Sequence, residues 1–294
     1  MSNETLKNKI DFAVIFTVKH ANPNGDPLNG NRPRVTLDDH GEISDVCLKR
    51  KIRDRLQADG QTIFVQSDDR CDDGCRTLKA RFEKMLEDEK LAKAGKAEIV
   101  AAANRRWFDV RAFGQVFAYK PAGGKKGAGK KKDGEEEAEG SDAVSIGIRG
   151  PVSVQPAFSV EQVNITSMQI TKSASNEGDG SKKTSDTMGM KYSVDAATYV
   201  FFGAVNPQLA SLTGFSDADA EALKKVLPRL FEGDASSARP EGSMEVKTVF
   251  WWKHNCASGQ YSSAKVHRTL EVKPDGSYTL SPLAGLAPEE IPGF

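Results

Sequence analysis

Residues 11–20, DFAVIFTVKH, constrain the fold more than any other stretch of the chain. Extended, they put Phe12, Val14, Phe16 and Val18 on one face and Ala13, Ile15 and Thr17 on the other, which is itself largely apolar. A strand with one wet face alternates cleanly, whereas apolar residues on both faces predict an inner strand covered above and below. Covering both faces of a sheet takes many elements, and 294 residues are ample for them.

The stretch KHANPNGDPLNGNRPR, 19–34, overlaps the end of this strand, and it is far longer than the roughly two to five residues of a plain hairpin. PRVTLDDHGEI reads next as a short strand ending in a His-Gly turn. Ser44 or Asp45 then caps a helix running to about Ala58, with an apolar stripe of Val46, Leu48, Ile52 and Leu56 and with Lys49, Arg50, Lys51 and Arg53 off it. A second helix at 76–95, rich in Lys, Arg and Glu, reads as solvated. Residues 104–119 lead into a strand, and further strands are expected within 144–160, 162–173, 198–206 and 244–255. A helix at 216–233 starts at Ser216 or Asp217 and has Gly233 past its end. Two stretches interrupt the pattern: a Lys/Gly tract followed by a Glu tract at 120–142, which is expected to be disordered, and a Gly/Ser/Lys-rich arm at 174–191. The order predicts an α+β domain of ferredoxin-like or split βαβ type, with a satellite subdomain and an arm as insertions.

The formal net charge is +0, so no global field draws the chain to a polyanion, and any such site must arise by local segregation. The sharpest segregation is LKRKIRDRL, where Lys49, Arg50, Lys51, Arg53 and Arg55 stand against Asp54 alone. Such a cluster can neutralise successive phosphates, although a merely solvated helix face has the same composition. The 19–34 loop adds Lys19, Arg32 and Arg34, and its Asn22, Asn24 and Asn31 suit either an anionic backbone or ordinary turns. It is no calcium loop, having one carboxylate (Asp26) and no closing Glu, and it lacks a nucleotide-binding glycine motif. Met188 and Met190, flanked by Lys182, Lys183 and Lys191, are apolar residues in a polar arm and suit a wedge between bases or an adaptable partner contact, folding back onto the body being the alternative. Cys71 and Cys75 in CDDGC lack the paired ligands of a zinc site, and the four histidines are scattered. With no signal peptide, no apolar run of membrane-spanning length and four cysteines read as reduced thiols, the expectation is a cytoplasmic protein without a membrane partner. These features point to a single-strand nucleic-acid binder; a module whose basic helix binds an acidic protein is the alternative.

Seven segments in register extend this reading: FAVIFTVKHANPNGDP with GNRPR, DVCLKRKIRDRL, DVRAFGQVF, SIGIRGPVSVQPAF, NITSMQIT, TMGMKYSVD and VFWWKHN. Together, from about residue 10 to 270, the chain resembles the backbone subunit of type I-C CRISPR surveillance complexes, the Cas-seven family of Cascade. The resemblance implies a modified RNA-recognition-motif palm, here 1–59, 106–170 and 194–294, with a helical finger at 60–105 and a thumb hairpin at 171–193. It implies a non-enzymatic subunit, without cofactor or metal, that assembles head to tail along CRISPR RNA with other Cascade subunits and meets target DNA through guide pairing. Lys19, Asn22, Asn24, Asn31, Arg32, Arg34, Lys49, Arg50, Arg53, Lys183 and Lys191 are the expected RNA contacts, and Met188 the wedge. Relatives in type III complexes cut RNA with a loop aspartate, which makes a metal-dependent ribonuclease using Asp26 the enzyme alternative.

Overall fold

The computed structural model describes residues 4–118, 145–171 and 188–294; the expected disorder at 120–142 and the candidate Lys183 lie outside them. In chain order, the described residues begin with β1 (Ile10–Ala21), β2 (Gly25–Asp26), β3 (Arg32–Pro33), β4 (His40–Ile43) and α1 (Asp45–Ala58). There follow α2 (Leu78–Asp88), α3 (Lys96–Arg106), α4 (Phe108–Phe113), β5 (Gly114–Ala118), β6 (Ser145–Arg149) and β7 (Val152–Val154). Then come β8 (Ala157–Gln162), β9 (Ile165–Thr171), β10 (Met188–Val205), α5 (Pro207–Thr213) and α6 (Asp217–Val226). The remainder is β11 (Met244–Lys253), α7 (Ser263–His267), β12 (Leu270–Val272), β13 (Tyr278–Leu280) and β14 (Glu289–Pro292).

β1 is the inner strand its composition predicts. It pairs antiparallel with β10 on one side and β11 on the other, within an eight-stranded antiparallel sheet of order β14-β11-β1-β10-β8-β4 to which β7 and β9 add through β10. Phe12, Val14, Phe16 and Val18 enter the main core with Leu48, Ile52 and Leu56 of α1 and Ala220, Leu223 and Val226 of α6. Ala13 and Ile15 point the other way, into a second core with Phe250, Trp252, Val266 and Leu270. Gly203 faces Phe12 across the ladder, and a Cβ there would lie 2.1 Å from the ring, so the aromatic occupies space that only glycine leaves.

A third core stands apart from these two. Phe64, Phe82, Met85, Ala102, Trp107, Phe117 and Ile146 form a satellite that draws on α2 and α3 and also on the β5–β6 hairpin, beyond the expected 60–105 boundary. The single helix expected at 76–95 is two: α2 stops at Glu89, Lys90 takes a left-handed φ of 56°, and α3 restarts at Lys96. Nor is α2 solvated all round, since Arg81, Phe82 and Met85 are buried.

Three local readings change. The turn before β4 falls at Asp39 (φ 60°), and His40-Gly41 opens the strand; the glycine is needed because Tyr199 Oη would lie 2.0 Å from a Cβ there. Val46, placed on the apolar stripe of α1, is exposed, while Lys51 takes its place in the buried face through an ion pair with Asp234. Ahead of Ser216, Asn206 caps α5. Ser216 itself caps α6 in a reciprocal capping box with Asp219, the arrangement that satisfies two end amides at once. No helix among the described residues is long and apolar enough to cross a membrane.

Candidate functional site

The 19–34 loop is a small built structure. His20, next to last in β1, takes a left-handed φ of 51°, and β2 and β3 pair Gly25 with Pro33 and Asp26 with Arg32. Between them Asp26 caps a short 3-10 turn, accepting from the Leu28 amide at 3.2 Å, and Asn31 adopts a left-handed φ of 59°, which asparagine tolerates.

Three of its asparagines therefore have structural duties. Asn22 is buried and its Nδ2 donates to the Asn31 carbonyl at 2.6 Å, closing the loop on itself. Asn24 Oδ1 accepts from the Ser44 amide at 2.9 Å and from its hydroxyl at 3.0 Å, and so fixes the N-cap of α1. Asn31 supplies the bend and is exposed. The loop cations are differently placed. Lys19 is exposed, Arg34 is half-buried and 3.5 Å from Asp26, and the Arg32 guanidinium lies 4.6 Å from the centre of the Tyr192 ring.

That last contact joins the loop to the arm. β9 and β10 run as an antiparallel ribbon from Ile165↔Val194 to Thr171↔Met188. Alternation along β10 puts Met188, Met190 and Tyr192 on one face, opposite Thr171, Gln169 and Ser167. Gln169 Nε2 donates to Met188 Sδ at 3.5 Å on this face. Lys191 lies on the other face with Met168 and Ile170. Met188 is 60% and Met190 51% exposed, so the methionines stand out in solvent on the side of the ribbon that meets Arg32.

The basic run of α1 is neutralised partly by carboxylates one helical turn away and partly by residues distant in sequence. Lys49 pairs with Asp45 at 2.9 Å, and Arg50 pairs with Asp54 and donates to the Val65 carbonyl at 2.5 Å. Arg55 pairs with Asp59 at 2.9 Å. Arg53 points inward: its Nε donates to Asp109 at 2.9 Å, and Asp109 is 1% exposed and also accepts from the Phe64 and Val65 amides at 2.7 and 3.0 Å. The local count of five cations against one anion missed Asp109 and Asp234 because they lie 56 and 183 positions away. Tyr192 was missed for the opposite reason, since nothing local marks a lone aromatic beside KYSVD as the partner of an arginine 160 residues earlier. A cleft of about 970 Å³ lies elsewhere, between α3, β6 and the end of α5, and none of these candidates lines it.

The family pattern described as "CRISPR-associated protein Cas7" matches residues 8–284. The chain belongs to that family. A curated relative of the same description from Haloferax volcanii is 26% identical over 286 residues, covering 94% of this chain and 78% of its own. Two solved structures are similar at lower levels: a "CRISPR RNA-guided surveillance complex, pre-nicking" chain at 14% identity and a "CRISPR RNA-guided surveillance complex" chain at 16%. Both have a TM-score of 0.45; they cover 83% and 92% of this chain and 78% and 77% of their own. At that score the likeness adds no argument, and membership in the Cas7 family rests on the sequence match.

Proposed function

We propose that this Cas7-family chain is the CRISPR RNA-binding backbone subunit of a type I-C Cascade, a non-enzymatic scaffold working in the cytoplasm. The observation that carries the reading is the meeting of a cationic loop with a methionine-tipped ribbon, through Arg32 over Tyr192, on the ribbon face that bears the methionines. In this reading β1, β10 and β11 with α1 and α6 are the palm of a modified RNA-recognition motif, the satellite is the finger and the β9–β10 ribbon the thumb. Lys19, Arg32 and Arg34 contact the guide backbone, and Met188 displaces a nucleotide. Lys49, Arg50 and Arg53, each paired with a carboxylate, hold the shape of the helix that follows the loop. Lys183 and Lys191 add charge along the arm.

Backbone contacts of this kind hold any spacer, and base pairing between guide and target DNA reads the sequence. Copies stacked head to tail use a heterologous contact that does not close, as an RNA-length filament with other Cascade subunits requires. Asp26 fits this scaffold as a structural residue, because its carboxylate caps the 3-10 turn and faces Arg34. The test is filter binding of unstructured RNA of unrelated sequences across salt concentrations. Similar affinities falling steeply with salt support the reading; RNA cleavage that is lost in Asp26→Ala, or binding confined to one sequence, overturns it.

A further inference from the structure

We infer that Arg32 and Tyr192 form a stacking platform that takes one unpaired nucleobase, with the base lying on the guanidinium face turned away from the tyrosine ring. The inference rests on the RNA-binding reading and adds a base-directed contact to it. Three observations carry it. The guanidinium lies 4.6 Å from the ring centre, inside the roughly 6 Å limit of a cation–π contact, so the tyrosine ring stands behind the arginine as a partner. The two residues come from different elements, β3 and β10, whose backbones are set by the Asp26↔Arg32 pair and the Ser167↔Tyr192 pair, so neither side chain hangs from a free loop. Strand alternation then puts Met190 and Met188 two and four residues along from Tyr192 on the same face, both more than half exposed.

A single strand following that face therefore passes a flat cation backed by an aromatic ring and then two polarizable apolar side chains. Arginine planes and aromatic rings are what unstacked RNA bases use as replacements for a lost neighbour, and stacking of this type is indifferent to which base is present. A base pushed out of its stack at Met188 needs such a surface close by. The pairing also explains why the arginine matters beyond its charge: lysine would keep the cation but lose the plane.

The experiment compares binding of the purified full chain to a uridine oligonucleotide and to an abasic ribose oligonucleotide of the same length, for wild type, Arg32→Lys, Tyr192→Phe and Tyr192→Leu. The wild type should prefer the base-bearing RNA by about tenfold. Tyr192→Phe should keep that preference, and Arg32→Lys and Tyr192→Leu should lose most of it, read as the ratio of the two affinities within each variant. Photocrosslinking with 4-thiouridine RNA should label the peptide carrying Tyr192 or Arg32. Unchanged preference in Arg32→Lys and Tyr192→Leu, or no crosslink at either residue while RNA binds, overturns the platform and leaves the scaffold reading standing. A wild-type chain that binds neither oligonucleotide overturns both.

Discussion

Asn24 Oδ1 accepts two hydrogen bonds from Ser44, one from its amide and one from its hydroxyl, so the loop that carries the proposed RNA contacts also sets the first turn of α1. Ser44 in turn accepts from the Cys47 amide as the helix N-cap. Loop and helix are therefore tied together at Ser44.

Asn24→Ala should destabilise the chain by about 1–2 kcal/mol, the range for a lost cap or a pair of half-buried donors left unmet. Asn24→Asp, which keeps an acceptor, should recover most of it. Urea unfolding midpoints measure both; equal midpoints for Asn24→Ala and wild type would detach the loop from the helix.

The Arg53–Asp109 pair should behave unlike the surface pairs around it. Asp109→Ala leaves a guanidinium 12% exposed without its carboxylate and two backbone amides without an acceptor, and should cost about 3–5 kcal/mol. Asp45→Ala, which breaks the solvent-facing pair with Lys49, should cost at most about 1 kcal/mol. Denaturant curves for the two variants decide between a structural and a solvent-facing role for each cation.

Much of this fold was legible in the sequence, and the losses have physical causes. The two apolar faces of 11–20 specified an inner strand, and Ser44 and Ser216 announced their helices, because periodicity and capping are local signals. Gly41 was read as a turn residue because a sequence cannot show the Tyr199 hydroxyl that requires it. Lys51 was placed outside because Asp234, its partner, lies far along the chain. The same limit governed the site. Loop and arm were both visible as polar stretches with cations, whereas their meeting at Arg32 and Tyr192, and the burial of Arg53, are tertiary facts.

Salt dependence should separate the proposed contacts from other surface cations. Lys19→Gln with Arg34→Gln should reduce the slope of log K against log salt by about 0.7 for each phosphate contact removed. Lys225→Gln, a 71% exposed cation on α6 paired with Asp59, should leave the slope unchanged. Equal slopes for all three proteins would remove the loop from the RNA path.

Two acid windows follow from groups shifted in the fold. Burial holds the His267 imidazole below its ordinary 6.5, with Lys9 adding to the shift and Asp11 opposing it, and His254 sharing the same carboxylate. The unfolded chain then binds the proton first, so stability should fall as pH drops below about 6.5, and His267→Gln should flatten that fall. Hydrogen bonding from Arg81 lowers Asp73 to about 2, so its contribution is present above its ordinary 3.8 and is lost as pH falls toward 2. Urea midpoints taken from pH 7.5 to 2 follow the two steps; a wild-type curve flat between pH 7 and 5.5 would contradict the first.

The central claim, that this chain assembles on guide RNA, is tested most directly by co-expressing it with a CRISPR array and following absorbance at 260 and 280 nm across the size-exclusion peak. The account predicts a particle much larger than the 31.9 kDa chain, rich in nucleic acid, and containing RNA of the array's sequence. A nucleic-acid-free monomer at low salt would contradict it.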